Sequence, residues 1–203
     1  VIDDTGKPIA RADVWLPLVI RGVGRIHTSH ARSDDQGRFA LEVPPDWLAK
    51  SQPWDRGATT VWAYAPGRQF STGRAMLPDG ASAVVIQLGP ATDTSFVVLD
   101  PEGQACAGTL VEPYYVRTSL GFQPLPEELM ARVAAHTDGE GRVKLPAASR
   151  DVLFEVRITT KEFGIQVQRT EKSEPPAVVG GTIHLRHVGK IEGRVTASEP
   201  EIA

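Results

Sequence analysis

Val1-Ile2-Asp3-Asp4-Thr5-Gly6 opens the sequence, and Val98-Leu99-Asp100-Pro101-Glu102-Gly103 stands 97 residues further on. The same offset carries Ile86-Gln87-Leu88 onto Ile183-His184-Leu185, and Val98 onto Val195. Between these anchors lies a second shared unit. Ser33-Asp34-Asp35-Gln36-Gly37-Arg38-Phe39-Ala40-Leu41 matches Thr137-Asp138-Gly139-Glu140-Gly141-Arg142-Val143-Lys144-Leu145, here at an offset of 104. Gly67 and Gly164 restore the spacing of 97. An internal repeat of this kind means that one structural unit has been used twice, with insertions confined to its loops.

Each unit has a backbone reason. Asp-x-x-Gly between apolar runs supplies a side-chain oxygen for a turn and a residue that tolerates positive φ, so both copies open on a tight reversal. After Gly37, Phe39 and Leu41 alternate with Arg38 and Ala40, the period of a half-buried strand, and Val143 and Leu145 repeat the pattern. Further strands read at 12–17, 59–65, 83–88, 94–99, 109–117, 152–160, 165–169 and 182–185. About seven short strands per copy, separated by turn signals, predict two antiparallel β-sandwiches. The insertion before the second turn is helical: Leu125, Leu129 and Val133 recur at i, i+4 and i+8, with acids first and Arg132 near the end, predicting a short amphipathic helix over 126–135. The first copy spends its extra length on 46–56 instead, a loop containing Trp and Pro.

Composition agrees with two soluble cores. The 203 residues are 41% apolar and 23% charged, and the net charge of -3 leaves no basic field for nucleic acid or an anionic membrane. No apolar run approaches the ~20 residues of a membrane-crossing helix. The sequence begins at Val1 with neither Met nor a signal-peptide pattern, so it reads as a piece of a longer protein. The single Cys106 excludes an internal disulfide and a CxxC pair, and its match to Ile9 predicts a small buried hydrophobe. The organisation predicted is residues 1–92 as the first sandwich, 93–188 as the second, diverged sandwich and 189–203 as the opening strand of a truncated third. Linkers of about five residues, 89–93 and 186–189, hold neighbours in a restricted geometry. The polar, Pro-rich stretch 171–176 reads as an exposed loop.

Three patterns together resemble the carboxypeptidase regulatory-like domain, a transthyretin-like seven-stranded β-sandwich. They are Val1-x-Asp3-x-x-Gly6-Lys7-Pro8-Ile9-x-x-Ala12-x-Val14, Ser33-Asp34-x-x-Gly37-x-Phe39 and Val61-Trp62-Ala63-x-Ala65-Pro66-Gly67. The first copy matches over nearly its whole length; in the second, Ala105 replaces Pro8 and Thr109 replaces Ala12. The whole chain is also similar to tandem modules of large bacterial envelope proteins, some with a membrane-bound zinc peptidase upstream. The resemblance implies a non-catalytic accessory module, immunoglobulin-like in architecture, that spaces or positions other domains of its own chain. It also implies an extracellular, periplasmic or cell-surface setting. Two alternatives remain open: a carbohydrate-binding module, and the ectodomain sensor of a membrane zinc peptidase.

A catalytic site is not legible, and no cofactor or metal is expected. Neither close histidine pair, His27/His30 or His184/His187, belongs to an HExxH or HxxE motif, and i, i+3 spacing on a strand puts the rings on opposite faces. His30, Ser33 and Asp34 lack a nucleophile elbow. Asp34, Asp35 and Asp138 are too few for calcium and read as turn caps. The least ordinary residues are aromatic: all four tryptophans, Trp15, Trp47, Trp54 and Trp62, fall in the first copy. Trp62 and Tyr64 share one strand face; they join Trp47 and Trp54 as candidate ligand-binding aromatics, with packing the simpler reading for Trp62. Trp47 and Trp54, beside Pro44, Pro45 and Pro53, read either as cover for the end of the sandwich or as a ligand-binding pair for polysaccharide or an envelope protein.

Overall fold

The structure is a computed structural model, and it describes residues 1–20, 25–43, 45, 58–76, 83–149, 151–170, 178–179 and 181–189. Among these the chain is all-β apart from one short helix. In the N-terminal half the strands are β1 (Ile2–Asp3), β2 (Asp13–Ile20), β3 (Arg25–Arg32), β4 (Ala58–Tyr64), β5 (Ser71–Met76) and β6 (Gln87–Leu88). The C-terminal half contains β7 (Thr94–Leu99), β8 (Leu110–Thr118), β9 (Gly121–Pro124), α1 (Glu127–Val133), β10 (Ala135–His136), β11 (Arg142–Leu145), β12 (Leu153–Thr159), β13 (Ile165–Arg169), β14 (Val178–Val179) and β15 (Thr182–His184).

The two halves use one plan. An antiparallel sheet β3-β2-β4-β5 faces the parallel pair β1-β6 in the first. In the second, a sheet β10-β8-β12-β13, extended by β9, faces β11-β7-β15-β14, in which β15 runs parallel to β7. The described strands number six and nine rather than seven and seven, and the β1-β6 and β7-β15 pairs depart from the all-antiparallel expectation. The opening strand and the closing strand of each copy lie side by side in the same direction, which a hairpin-only reading does not anticipate.

The repeated turns are superimposable bond by bond. Asp34 and Asp138 each accept two backbone N–H groups on Oδ1, from Gln36 and Arg38 and from Glu140 and Arg142. Asp3 Oδ1 does the same for Thr5 and Lys7. These carboxylates are turn caps. At the next layer, Ser33 Oγ accepts the Ala12 N–H at 2.9 Å and donates to the Ile9 carbonyl at 2.7 Å. Thr137 Oγ1 accepts the Thr109 N–H at 2.9 Å and donates to the Cys106 carbonyl at 2.5 Å. A single hydroxyl thus ties the second turn of each copy to the chain leaving the first. Gly141 (φ 72°) closes its turn so near the neighbouring strand that a Cβ there would stand 2.5 Å from the Val98 carbonyl oxygen.

Two expectations need correcting here. The alternation at 38–41 gives no strand, although Phe39 and Leu41 do turn towards the first core. Its counterpart β11 pairs with Thr94–Val97, whereas 38–41 pairs with no strand among the described residues. Cys106 is half-buried rather than buried, packing at the edge of the second core, and partial burial raises its thiol pKa, with Asp100 and Glu162 adding to the effect. The helix occupies Glu127–Val133 of the expected 126–135, with Leu129 and Val133 fully buried. The 171–176 stretch and residues 190–203 lie outside the described residues.

The first core gathers Val14, Leu16, Val61, Ala63, Ile86 and Leu88. The second is larger and includes Phe96, Val98, Val111, Leu129, Val156, Ile158 and Ile183, but it also takes in Trp15, Trp62 and Phe70 from the N-terminal half. Strands β2 and β4 are buried on both faces. The apolar run Val14-Trp15-Leu16 already carries that signature, since a strand with one wet face alternates.

Candidate functional site

Strand parity sorts the sheet β3-β2-β4-β5 into two faces. Val14, Leu16, Val61 and Ala63 point to the first core. The opposite face carries Asp13, Trp15 and Pro17 on β2, Thr28, His30 and Arg32 on β3, and Thr60, Trp62 and Tyr64 on β4. Register aligns them in rows: His30 opposite Trp15 opposite Trp62, with Arg32, Asp13 and Tyr64 one step along. Through Trp15, Trp62 and Tyr64 this face packs against the C-terminal half.

At one end of the face sits a charge hub. The side chain of Asp13 is only 4% exposed, and its carboxylate lies 2.9 Å from each of three cationic or titratable groups: His30 Nε2, Arg32 Nε and Arg132 Nη1. Arg132 comes from the last turn of α1, and its guanidinium also lies over the Trp15 ring, 5.6 Å from the centroid. Burial alone would raise the Asp13 carboxyl; hydrogen bonds from Arg32 and His30 and the charge of Arg132 outweigh it and hold the pKa below the ordinary value. A buried carboxylate is tolerable only with such partners. Nearby, the Phe70 N–H donates to the Ala147 carbonyl at 3.3 Å and the Gln69 amide to Ser149 Oγ at 2.9 Å. The segment expected as a linker is also pinned, by Gln69 N–H on the Gly89 carbonyl and by Lys144 on Asp93 at 2.7 Å. The halves therefore touch through a sheet face and a helix as well as through their linker.

At the other end the face opens into a cleft of about 700 Å³. Pro17, Thr28, Thr60 and Trp62 form one wall; Tyr114, Tyr115, the 123–126 segment, Glu127, Glu128, Met130 and Arg157 form the other. Tyr114 and Tyr115 meet edge to face, centroids 4.9 Å apart. Arg157 lies over Tyr114 and is bidentate to Glu112, at 2.8 and 3.1 Å, so its charge is already matched. Burial, with Tyr114 and Glu155 beside it, raises the Tyr115 phenol, which stays protonated. Thr60 is 6% exposed, and among the described residues its Oγ1 is the buried side-chain polar atom that has no hydrogen-bond partner.

The residues singled out from sequence fall unevenly. Trp62 is 1% exposed and is among the residues around the cleft; Tyr64, on the same face, is half-buried against the second core. Trp47 and Trp54 lie outside the described residues. His30 is hydrogen-bonded to Asp13, and Ser33 and Asp34 serve turns, so no hydrolytic triad is assembled. Among the described residues no cluster of three or more His, Cys, Asp or Glu is placed to hold a metal ion, and no described helix is long and apolar enough to cross a membrane. The Asp13 hub and the cleft are absent from the sequence reading, because both join residues from opposite halves of the chain, Asp13 with Arg132 and Trp62 with Tyr114.

No protein-family model and no curated protein matches the chain. Among solved structures, the shaft pilin SpaA from Lactobacillus rhamnosus GG is similar over 93% of this chain and 89% of its own, with 14% identity and a TM-score of 0.28. The Streptococcal ancillary pilin aligns over 91% of this chain and 60% of its own, at 12% identity and a TM-score of 0.28. The pilus backbone protein RrgB from Streptococcus pneumoniae aligns over 83% and 55%, at 10% identity and a TM-score of 0.25. Function therefore has to be argued from the chain's own residues.

Proposed function

We propose that the chain is a pair of non-catalytic β-sandwich modules, bounded at about residues 92 and 93, that holds neighbouring domains of a secreted or envelope protein at a fixed spacing. The observation that carries this reading is the sheet face Asp13-Trp15-Thr60-Trp62, buried against the second half. Trp15 and Trp62 are each 1% exposed, and truncating a buried indole typically costs about 3–5 kcal/mol. An interface with that much apolar burial, locked by Arg132 on Asp13, resists the hinge motion that short linkers alone would allow. The resemblance to the carboxypeptidase regulatory-like domain supplies the accessory role and the extracytoplasmic setting.

The test is orientational. Residual dipolar couplings of backbone N–H vectors in β2–β5 and in β7–β13 are expected to fit one alignment tensor. Two tensors of different magnitude would mean that the halves tumble independently, and the spacer reading would fail. Met130→Glu, which puts a carboxylate into the apolar contact, is expected to split the tensor while each sandwich keeps its own amide pattern.

A further inference from the structure

The cleft beyond the Trp62 end of the sheet face lies outside the spacer role and is built unlike the rest of the interface. Elsewhere the two halves close on each other through buried indoles and a satisfied carboxylate; here about 700 Å³ stays open between them. That volume falls in the range of small-molecule sites, roughly 300–1,000 Å³. Its lining combines ring surface from Tyr114 and Tyr115, beside the buried Trp62, with neutral hydrogen-bonding groups from Thr28, Thr60 and Gln123. Thr60 projects from the same face of β4 as Trp62, and its hydroxyl has given up water without gaining a protein partner. Such a group is costly to leave unpaired. An incoming hydroxyl would supply what it lacks.

The charges narrow the ligand class. Glu127 and Glu128 stand on the first turn of α1 at the rim, and the one guanidinium in the lining, Arg157, is occupied by Glu112. Among the described lining residues an anion meets two carboxylates and no unmatched cation. A neutral polyol meets tyrosine ring surface for its C–H groups and acceptors and donors for its hydroxyls. We infer that the cleft between the two sandwiches is a binding site for a neutral saccharide, seated against Tyr114 and Tyr115 with a hydroxyl bonded to Thr60. This reading rests on Tyr114, Tyr115 and Thr60 rather than on Trp47 and Trp54. It also stands apart from the spacer proposal: loss of sugar binding leaves the common alignment tensor unchanged.

The experiment is saturation-transfer NMR on the full 203-residue chain, with maltose, cellobiose and N,N′-diacetylchitobiose as probes and acetate and tetramethylammonium as charged controls. Transfer to at least one disaccharide, and to neither control, is expected. Thr60→Val should weaken the best probe about tenfold, and Tyr115→Ala at least as much. Thr60→Val keeps the shape of the side chain, and an unchanged amide spectrum outside the cleft shows that the fold is intact. Three outcomes each overturn the inference: no transfer to any disaccharide, binding undiminished by both substitutions, or binding of a charged control in place of the sugars.

Discussion

Thr137 and Thr60 are both buried threonines, and replacing either by valine removes one oxygen while keeping the branched shape. The structure assigns them opposite consequences. At Thr137 the hydroxyl accepts from the Thr109 N–H and donates to the Cys106 carbonyl. Thr137→Val strands one main-chain donor and one acceptor, and each unmet buried group costs about 1–3 kcal/mol. Some relaxation and water entry will recover part of that, so a net loss of about 2–4 kcal/mol is expected, or a fall in Tm of roughly 5–15 °C for a chain of this length. At Thr60 no bond is lost, because Oγ1 makes none. Removing a buried hydroxyl without a partner is expected to leave stability unchanged or raise it by about 1 kcal/mol. Urea titration of both variants, followed by circular dichroism with the slope of the transition checked for constancy, gives the two values. Equal destabilisation at the two sites, or a Thr137→Val variant as stable as the parent, would refute the account of the turn.

The Asp13 hub makes a pH-dependent prediction. Its folded pKa is depressed, so the stabilisation is complete above the ordinary carboxylate pKa of about 4 and disappears as pH falls through the lower folded value. Asp13→Asn should cost about 2 kcal/mol at neutral pH, below the 3–5 of a fully buried pair because His30, Arg32 and Arg132 keep contact with water. Thermal melts of parent and variant should converge in acid; a gap that stays constant below pH 4 argues against the hub. Gly141→Ala forces a Cβ against the Val98 carbonyl at positive φ, and a loss of more than about 2 kcal/mol is expected in the same urea assay. A near-neutral result would mean that this turn relaxes freely.

How much could be read from the chain depends on how local the cause is. The paired turns were legible because an Asp side chain and a glycine two or three residues on decide them without help from elsewhere. The strands β4, β7, β8, β12 and β13 were legible from apolar runs. Strand β3 was not, since Arg25–Arg32 has little apolar alternation and owes its conformation to the full-length pairing with β2. The parallel closure of β15 on β7 depends on residues some 85 positions apart. For the same reason the face that unites Asp13, Trp15 and Trp62 was invisible. The parity of Trp62 with Tyr64 was correct, but nothing local says that the far side of a strand faces a second sandwich rather than water. Arg132 was noted only as a helix-end charge, and its partner lies in the other half.

The repeat is symmetric in its turns and asymmetric in its surfaces. In strand register, the cross-strand pair Trp15–Trp62 of the first copy corresponds to the pair Glu112–Arg157 of the second. The first copy thus offers indole where the second offers a matched ion pair, and the helix that lies against that indole belongs to the second. Two identical copies could not make this contact in both directions. Duplication has produced a directional joint, with a socket on the first copy and a plug on the second, and the order of the modules along the chain becomes part of the information the structure stores. A gene in which the two halves are exchanged would encode the same sandwiches with the joint facing the wrong way.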